Sequence, residues 1–310
     1  MTASTLVTGA SGFAGGHLLE RLPRDQPIAA WSRAGHASGS APHIAWRGVD
    51  LLDRRAVERA LDATRPSVIF HAAGAPHVGA SFDNPTEPLA INAVGTHHLL
   101  SAAARVTPDA RVVVVTSAMI YRASDAVLDE EAPAVPSSPY GLSKLAQDRL
   151  AALAAGDGMD TVIARPFNHT GPRQQPSFAI PGFAQQIALI EAGRAEPLLR
   201  TGNLDAERDI TDVRDVVDAY ALLGRAGVRG TAYNVCTGHA WRIGDLLERL
   251  LSRSRVRVRV ERDEARMRPV EPSRLIGDNT RLRALGWEPR VPIDIMLDDV
   301  LEYWRTQVAS

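Results

Sequence analysis

Short apolar runs alternate with stretches of helical periodicity through the first half of the chain. Thr5–Thr8 reads as a buried strand, and residues 13–22 carry apolar side chains at helical spacing. Further strands are expected at 28–31, 44–46, 68–70 and 161–164, and at Arg111–Val115, the most β-branched run in the chain. Helices are expected at 56–63, opened by Asp53, at 91–104 and at 140–155. This alternation predicts an α/β fold, a doubly wound parallel sheet covered by helices on both faces.

The second half is punctuated differently, by Pro166, Gly171-Pro172, Pro176, Pro181-Gly182 and Pro197. Helical patterns recur at 183–192, 213–223 and 293–305, between turn signals such as Arg268-Pro269 and Glu288-Pro289. The expected organisation is a dinucleotide-binding domain at 1–166, with a returning segment at about 210–235, and a smaller substrate-binding lobe from 167–209 and 236–310. Residues 34–41, rich in Gly, Ser and Ala, are expected to form a mobile loop.

Composition narrows the partners. Lys+Arg number 35 against 36 Asp+Glu, a formal net charge of -1, so no basic face for nucleic acid is expected. The single cysteine, Cys236, lies in an apolar stretch, reads as core and excludes an intrachain disulfide. The chain opens without a basic, apolar leader and has no run of about 18 apolar residues, so a cytoplasmic protein with no membrane partner is expected. His77 and the neighbours His97-His98 have no partners at metal-ligand spacing, and no metal is expected. Arginine dominates the cations and lysine is rare, so a lysine in a motif stands out.

The first candidate chemistry follows the first strand, in Gly9-Ala10-Ser11-Gly12-Phe13-Ala14-Gly15. Glycines there permit a tight turn, close approach of backbone to a pyrophosphate and close helix–strand packing, and the helix N-terminus faces the anion with free N–H groups. The spacing GxxGxxG departs from GxGxxG, and glycines also serve ordinary turns; the place between strand and helix is what carries the reading. A Rossmann-type cofactor site follows from it. At the end of the second strand stands Arg33, with no acid before Asp50. An arginine there suits the 2′-phosphate of NADP(H), which is favoured, with NAD(H) possible. The competing reading is a solvated loop arginine. Asp50 suits a place beside the adenine ring.

The second candidate is Tyr140-Gly141-Leu142-Ser143-Lys144, with Tyr140 and Lys144 on one helical face. A neighbouring ammonium is expected to pull the phenol pKa down toward working pH, and a phenol so tuned can move a proton at a carbonyl or hydroxyl. The pair follows the fifth strand of the expected sheet, at whose carboxyl edge ligands bind. Ser117, just past that strand, can hold the reacting oxygen opposite Tyr140.

The glycine loop, Asp50-Leu51, His71-Ala72-Ala73-Gly74, Asn92, Ser117, Ile120-Tyr121 and Tyr140xxxLys144 together resemble an extended short-chain dehydrogenase/reductase of the sugar-nucleotide branch, over essentially the whole chain. The resemblance implies a nicotinamide-dependent oxidoreductase with Ser117, Tyr140 and Lys144 catalytic. Gly9, Gly12, Phe13, Gly15, Arg33, Asp50, Leu51, Ala72 and Ala73 would lie at the cofactor, with Tyr140 and Lys144. It also implies a homodimer paired through helices 85–104 and 140–155. The stretches Arg165-Pro166-Phe167-Asn168-His169-Thr170-Gly171-Pro172-Arg173-Gln174, Gly202-Asn203-Leu204 with Arg208-Asp209, and Arg266-Met267-Arg268-Pro269 are similar to those of GDP-6-deoxy-4-keto-D-mannose reductases. By that likeness Asn168, Arg208 and Arg268, and less strongly Arg173, hold a GDP-linked nucleotide sugar. His169 is either a second proton donor or a structural hydrogen-bonder, and the latter is favoured.

Sugar-nucleotide 4,6-dehydratases of the same group place an Asp–Glu pair directly after the catalytic Ser/Thr. Here those places hold Ala118 and Met119, which cannot move protons. The resemblance therefore implies reduction of a C4 ketone, most closely GDP-4-keto-6-deoxy-D-mannose to GDP-D-rhamnose. The alternatives are an NAD-dependent sugar-nucleotide 4-epimerase and, more distantly, a non-catalytic dinucleotide-sensing protein, which would usually have lost the Tyr or Lys.

Overall fold

The computed structural model describes residues 4–35, 41–122, 124–264 and 274–309. In chain order the first half holds β1 (Thr5–Thr8), α1 (Phe13–Arg21), β2 (Ile28–Ser32), β3 (Ile44–Gly48), α2 (Arg54–Thr64), β4 (Val68–His71), the short α3 (Ala80–Asp83) and α4 (Thr86–Pro88), α5 (Gly95–Val106), β5 (Arg111–Val115), α6 (Pro139–Gly156) and β6 (Thr161–Pro166). The second half holds β7 (Asn168–Thr170), α7 (Ala179–Glu191), β8 (Leu198–Thr201), β9 (Glu207–Asp212), α8 (Val213–Ala226), β10 (Ala232–Val235), β11 (Ala240–Arg242), α9 (Ile243–Ser252), β12 (Arg259–Arg262), β13 (Arg274–Leu275), α10 (Thr280–Arg283) and α11 (Ile293–Ala309).

Seven parallel strands form one sheet in the order β10-β6-β5-β4-β1-β2-β3. Both faces are covered, which is why residues 112–115 of β5 and 162–164 of β6 read as continuous apolar runs with no polar alternation. Val7, Phe70, Val113 and Val115 pack on one face against Leu18 of α1 and Val216 and Tyr220 of α8. Leu6, Ile69, Val112 and Val114 pack on the other against Leu61 of α2, Leu99 of α5 and Ala151 of α6. The strand order reverses between β1 and β4, so the loops after these strands diverge and leave a crevice at the carboxyl edge.

A second core sits apart from this sheet. Ile187 of α7, Leu199 of β8, Ile210 of β9, Leu246 and Leu250 of α9, and Leu297 and Val300 of α11 form it. β11, β9 and β13, with β7 added to β9, make a small mixed sheet beside it. No helix among the described residues is long and apolar enough to cross a membrane.

The expected helix at 91–104 begins instead as a π-helical turn, Leu89–Val94, and becomes α-helical at Gly95. The cause is Asn92, fully buried inside the turn. Its side chain accepts from Ala75 N at 2.9 Å and donates to Ala75 O at 3.3 Å and to Ser143 Oγ at 2.9 Å. A widened turn aims the amide at the loop after β4, and such turns recur at functional sites. Residues 36–40 of the expected mobile loop lie outside the described residues.

Candidate active site

The glycine loop folds as its spacing requires. Gly9 has φ +67, and a Cβ on it would lie 2.6 Å from Ala73 Cα. A Cβ on Gly15 would lie 2.2 Å from Gly9 O. The loop thus closes on itself and against the backbone of Ala72-Ala73, and no side chain fits in between. Gly12 caps α1 with no side-chain hydrogen bond, so first-turn N–H groups face the crevice without a protein side chain on them. This cradle fits a dinucleotide pyrophosphate. Arg33 is exposed at the end of β2, and its guanidinium has no partner among the described residues. Asp50 is exposed; its Oδ1 accepts from Leu52 N at 2.9 Å while Leu51 is buried against Gly95.

Across the crevice, Ser117 ends the extension of β5 and caps a single 3-10 turn, Ala118–Ile120, accepting from Met119 N at 3.1 Å. Tyr140 is the second residue of α6. Pro139 opens that helix, and Ser138 caps it by accepting from Gly141 N at 3.0 Å. A Cβ on Gly141 would stand 2.5 Å from Met119 O. Glycine after the tyrosine therefore lets the first turn of α6 lie on the turn after Ser117, and the Ser117 hydroxyl hydrogen-bonds the Tyr140 phenol. Ser81 Oγ accepts from Tyr140 N at 3.2 Å, anchoring the same turn to α3.

The electrostatics depart from the expectation for the tyrosine. Burial pushes the Tyr140 phenol up, and the Ser117 hydrogen bond offsets this only in part. Lys144, the only lysine in the chain, does not pull it down. Its Nζ donates to Val115 O at 3.0 Å and Gln147 Oε1 at 2.8 Å. Burial lowers the amine to about 7. Among the described residues no carboxylate acts on Tyr140, and Ala118 and Met119 occupy the turn where one could stand.

The helix α6 is locked in place by a buried ion pair below the site. Arg165 of β6 donates from Nε and Nη2 to Asp148 at 2.8 and 3.0 Å, and from Nη1 to Tyr121 Oη at 3.0 Å and Glu130 O at 2.9 Å. Thr116, next to Ser117, donates to the same Asp148.

The substrate side is only partly assembled from the expected residues. Asn168 is exposed on β7, with its side chain unpartnered among the described residues. Arg208 is buried on β9 and donates to Glu207 O at 2.8 Å. Arg268 lies outside the described residues. Arg173 makes an exposed bidentate pair with Glu20 of α1, at 2.6 and 2.9 Å, from a left-handed backbone with φ 74. His169 stacks on Phe13 at 5.8 Å with Nδ1 3.0 Å from Phe167 O, and burial lowers its pKa. It makes a contact between the glycine loop and the segment after β6. His77 stacks on Phe178 at 5.3 Å, Cys236 is fully buried, and no His/Cys/Asp/Glu cluster suited to a metal occurs among the described residues.

A phosphate-cradling glycine loop and a Ser–Tyr–Lys set facing one crevice define a nicotinamide-linked enzyme of the short-chain dehydrogenase/reductase type. The chain belongs to the GDP-mannose 4,6 dehydratase family, which matches residues 6–300. It is 35% identical to a GDP-6-deoxy-D-mannose reductase of Pseudomonas aeruginosa, over 99% of each chain. It is 30% identical to a UDP-glucose 4-epimerase of Mycolicibacterium smegmatis, over 98% of this chain and 99% of that one. Among solved structures it resembles RMD from Pseudomonas aeruginosa complexed with NADPH, with a TM-score of 0.85 and 33% identity, covering 99% of this chain and 100% of that one.

Proposed function

We propose that this chain reduces the C4 ketone of GDP-4-keto-6-deoxy-D-mannose to give GDP-D-rhamnose, with NADPH as reductant. The observation that carries the reading is the Ser117–Tyr140–Lys144 set followed by Ala118 and Met119. With a reduced nicotinamide to supply hydride, the set can protonate the oxygen of a carbonyl under reduction, and the two residues after Ser117 cannot eliminate water. A phenol kept protonated by burial is the form that a reduction needs. The likeness to the Pseudomonas reductase and to its NADPH complex supports both substrate class and cofactor.

In this reading the glycine loop and Ala72-Ala73 would hold the dinucleotide, with Arg33 and Asp50 toward its adenosine end, and it would supply the hydride for C4. Ser117 orients the sugar oxygen, Tyr140 donates a proton to it, and Lys144 holds the ribose hydroxyls. Asn168 and Arg208, with Arg268, take the sugar and diphosphate. We read 1–166 with 210–235 as the cofactor unit and the remainder as the substrate-binding lobe. The exposed apolar residues Val94 of the turn before α5 and Leu142 and Leu153 of α6 suit a homodimer paired through these helices. The buried free thiol is compatible with the cytoplasm.

The test is turnover. The chain should oxidise NADPH when given GDP-4-keto-6-deoxy-D-mannose. The likeness to 4-epimerases favours the second reading, and its mark would be NAD retained through purification with no NADPH consumption. For the cofactor, Arg33→Ser removes a free charge-assisted donor. It should weaken NADPH binding by about 10- to 100-fold and leave NADH unchanged. Equal losses for both dinucleotides in a binding titration would remove Arg33 from the 2′-phosphate.

A further inference from the structure

Behind the catalytic set runs a buried polar chain that the reaction as derived does not use. Lys144 Nζ donates to Gln147 Oε1 at 2.8 Å, and Gln147 Nε2 donates to Thr96 Oγ1 at 3.0 Å. Thr96 Oγ1 donates in turn to Asn92 O at 2.6 Å. With its proton so committed, the threonine oxygen can only accept from His71 Nε2, 2.8 Å away. His71 Nδ1 must then accept from Thr8 Oγ1 at 2.8 Å, and Thr8 accepts from Ala73 N at 3.3 Å. Burial holds His71 down at about 3, so the ring stays neutral and the direction of every bond is fixed. His71, Thr96 and Gln147 are fully buried. The chain joins the strand before the glycine loop to β4, α5 and α6, and it ends on the one lysine.

The amine meets few other charges. From β5 it receives the Val115 carbonyl, and from the loop after β4 it meets Gly74. From α5 and its leading turn come Thr96 and Asn92, which do not titrate. From β4 comes His71, whose ring feels the lysine charge. On α6 itself, Asp148 is committed to Arg165 and Thr116, while Tyr140 faces Ser117. Among the described residues the side chain at hydrogen-bond distance is thus the Gln147 amide, where a carboxylate would also fit.

We propose that Gln147, its amide oriented by Thr96 and His71, is a positioning residue that holds Lys144 at the catalytic set through an uncharged acceptor. An uncharged acceptor holds the ammonium in place without locking the charge on. With no carboxylate among the described residues to oppose it, burial lowers the amine to about 7. The charged form binds ribose hydroxyls, so turnover should decline as pH rises through that midpoint.

The inference rests on the assignment of Lys144 to the catalytic set, but its test reads the lysine directly. Because the chain has a single lysine, 13C-labelled lysine gives one side-chain signal whose pH titration is the amine's own. Gln147→Glu places a carboxylate at the same atom and should move the midpoint up by about one unit or more. The alkaline limb of kcat should move with it, so that turnover persists to higher pH. Gln147→Leu removes the acceptor and should move both down. Thr96→Val, which frees the amide without touching the lysine, should move them down by less. If all three variants titrate at the wild-type midpoint and differ only in melting temperature, the chain is structural and the proposal fails. If the midpoints move as expected but no variant turns over nucleotide sugar at any pH, Gln147 stands and the reading of the activity falls.

Discussion

Replacing Tyr140 by Phe is expected to lower kcat by about a hundred- to ten-thousand-fold, the usual share of a positioned proton donor. KM for the nucleotide sugar and the affinity for NADPH should change little, because the ring stays and only the hydroxyl goes. The phenol is buried at the carboxyl edge of the sheet, and among the described residues it shares its hydrogen bond with Ser117 and with no carboxylate. The Ser117 hydroxyl beside it is a far weaker acid than a phenol. Ser117→Ala should cost less, since it removes an orienting group and one offset to the phenol's raised pKa. Steady-state kinetics of both variants, with circular dichroism to confirm folding, checks the order. A Tyr140→Phe chain with wild-type turnover would remove the tyrosine from the chemistry.

The largest effect on stability is expected at Arg165. Arg165→Met should destabilise the fold by about 3–5 kcal/mol, because it leaves the Asp148 carboxylate buried without its partner. The side chains of Arg165 and Asp148 are 8% and 1% exposed, so water cannot take over. Tyr121 and the Glu130 carbonyl lose a donor in the same step. Adding Asp148→Asn should recover much of the loss, since the uncompensated charge is then gone. Urea unfolding of the two single variants and the double variant measures this. Additive single losses would mean that the pair is not coupled. Because Asp148 lies on α6 one turn beyond Lys144, Arg165→Met should also lower turnover below its unfolding midpoint.

The parallel sheet was legible because its strands are apolar on both faces and alternate with helices of clear period. The strands of the second lobe were not, for a physical reason. β9 is Glu207–Asp212, and its acids look like loop. Asp209 is nonetheless fully buried, and its carboxylate accepts from Thr237 N, Thr237 Oγ1 and Gly238 N at 2.7–2.8 Å. Only tertiary contacts make such a residue a strand residue. β7, β11 and β13 are too short to show a period. α9 could have been read: Ile243, Leu246, Leu247 and Leu250 stand at helical spacing and are all buried.

In the site, motif spacing brought Ser117, Tyr140 and Lys144 to one crevice with the glycine loop. It did not reveal the direction of the tyrosine's pKa, since a helical i,i+4 pair says where side chains project and nothing of how deeply they are buried. The pairing of Arg173 was not legible for a similar reason: its left-handed turn, and Glu20 far away in sequence, decide it. Gly141 carried a weak signal, as glycine inside a helix needs a cause, and the cause is the Met119 carbonyl. Gln147 and Thr96 carried none, and His71 entered only as part of a motif, because a buried polar network looks in sequence like scattered polar residues.

The central claim is that hydride and proton are added across C4 of a keto-sugar. The direct measurement is the product formed from GDP-4-keto-6-deoxy-D-mannose and NADPH deuterated at the transferred position, read by NMR. One NADPH consumed per sugar, with deuterium on C4 of a GDP-6-deoxyhexose, is the expected result. Interconversion of C4 epimers without NADPH consumption, or deuterium arriving at C6, would contradict it.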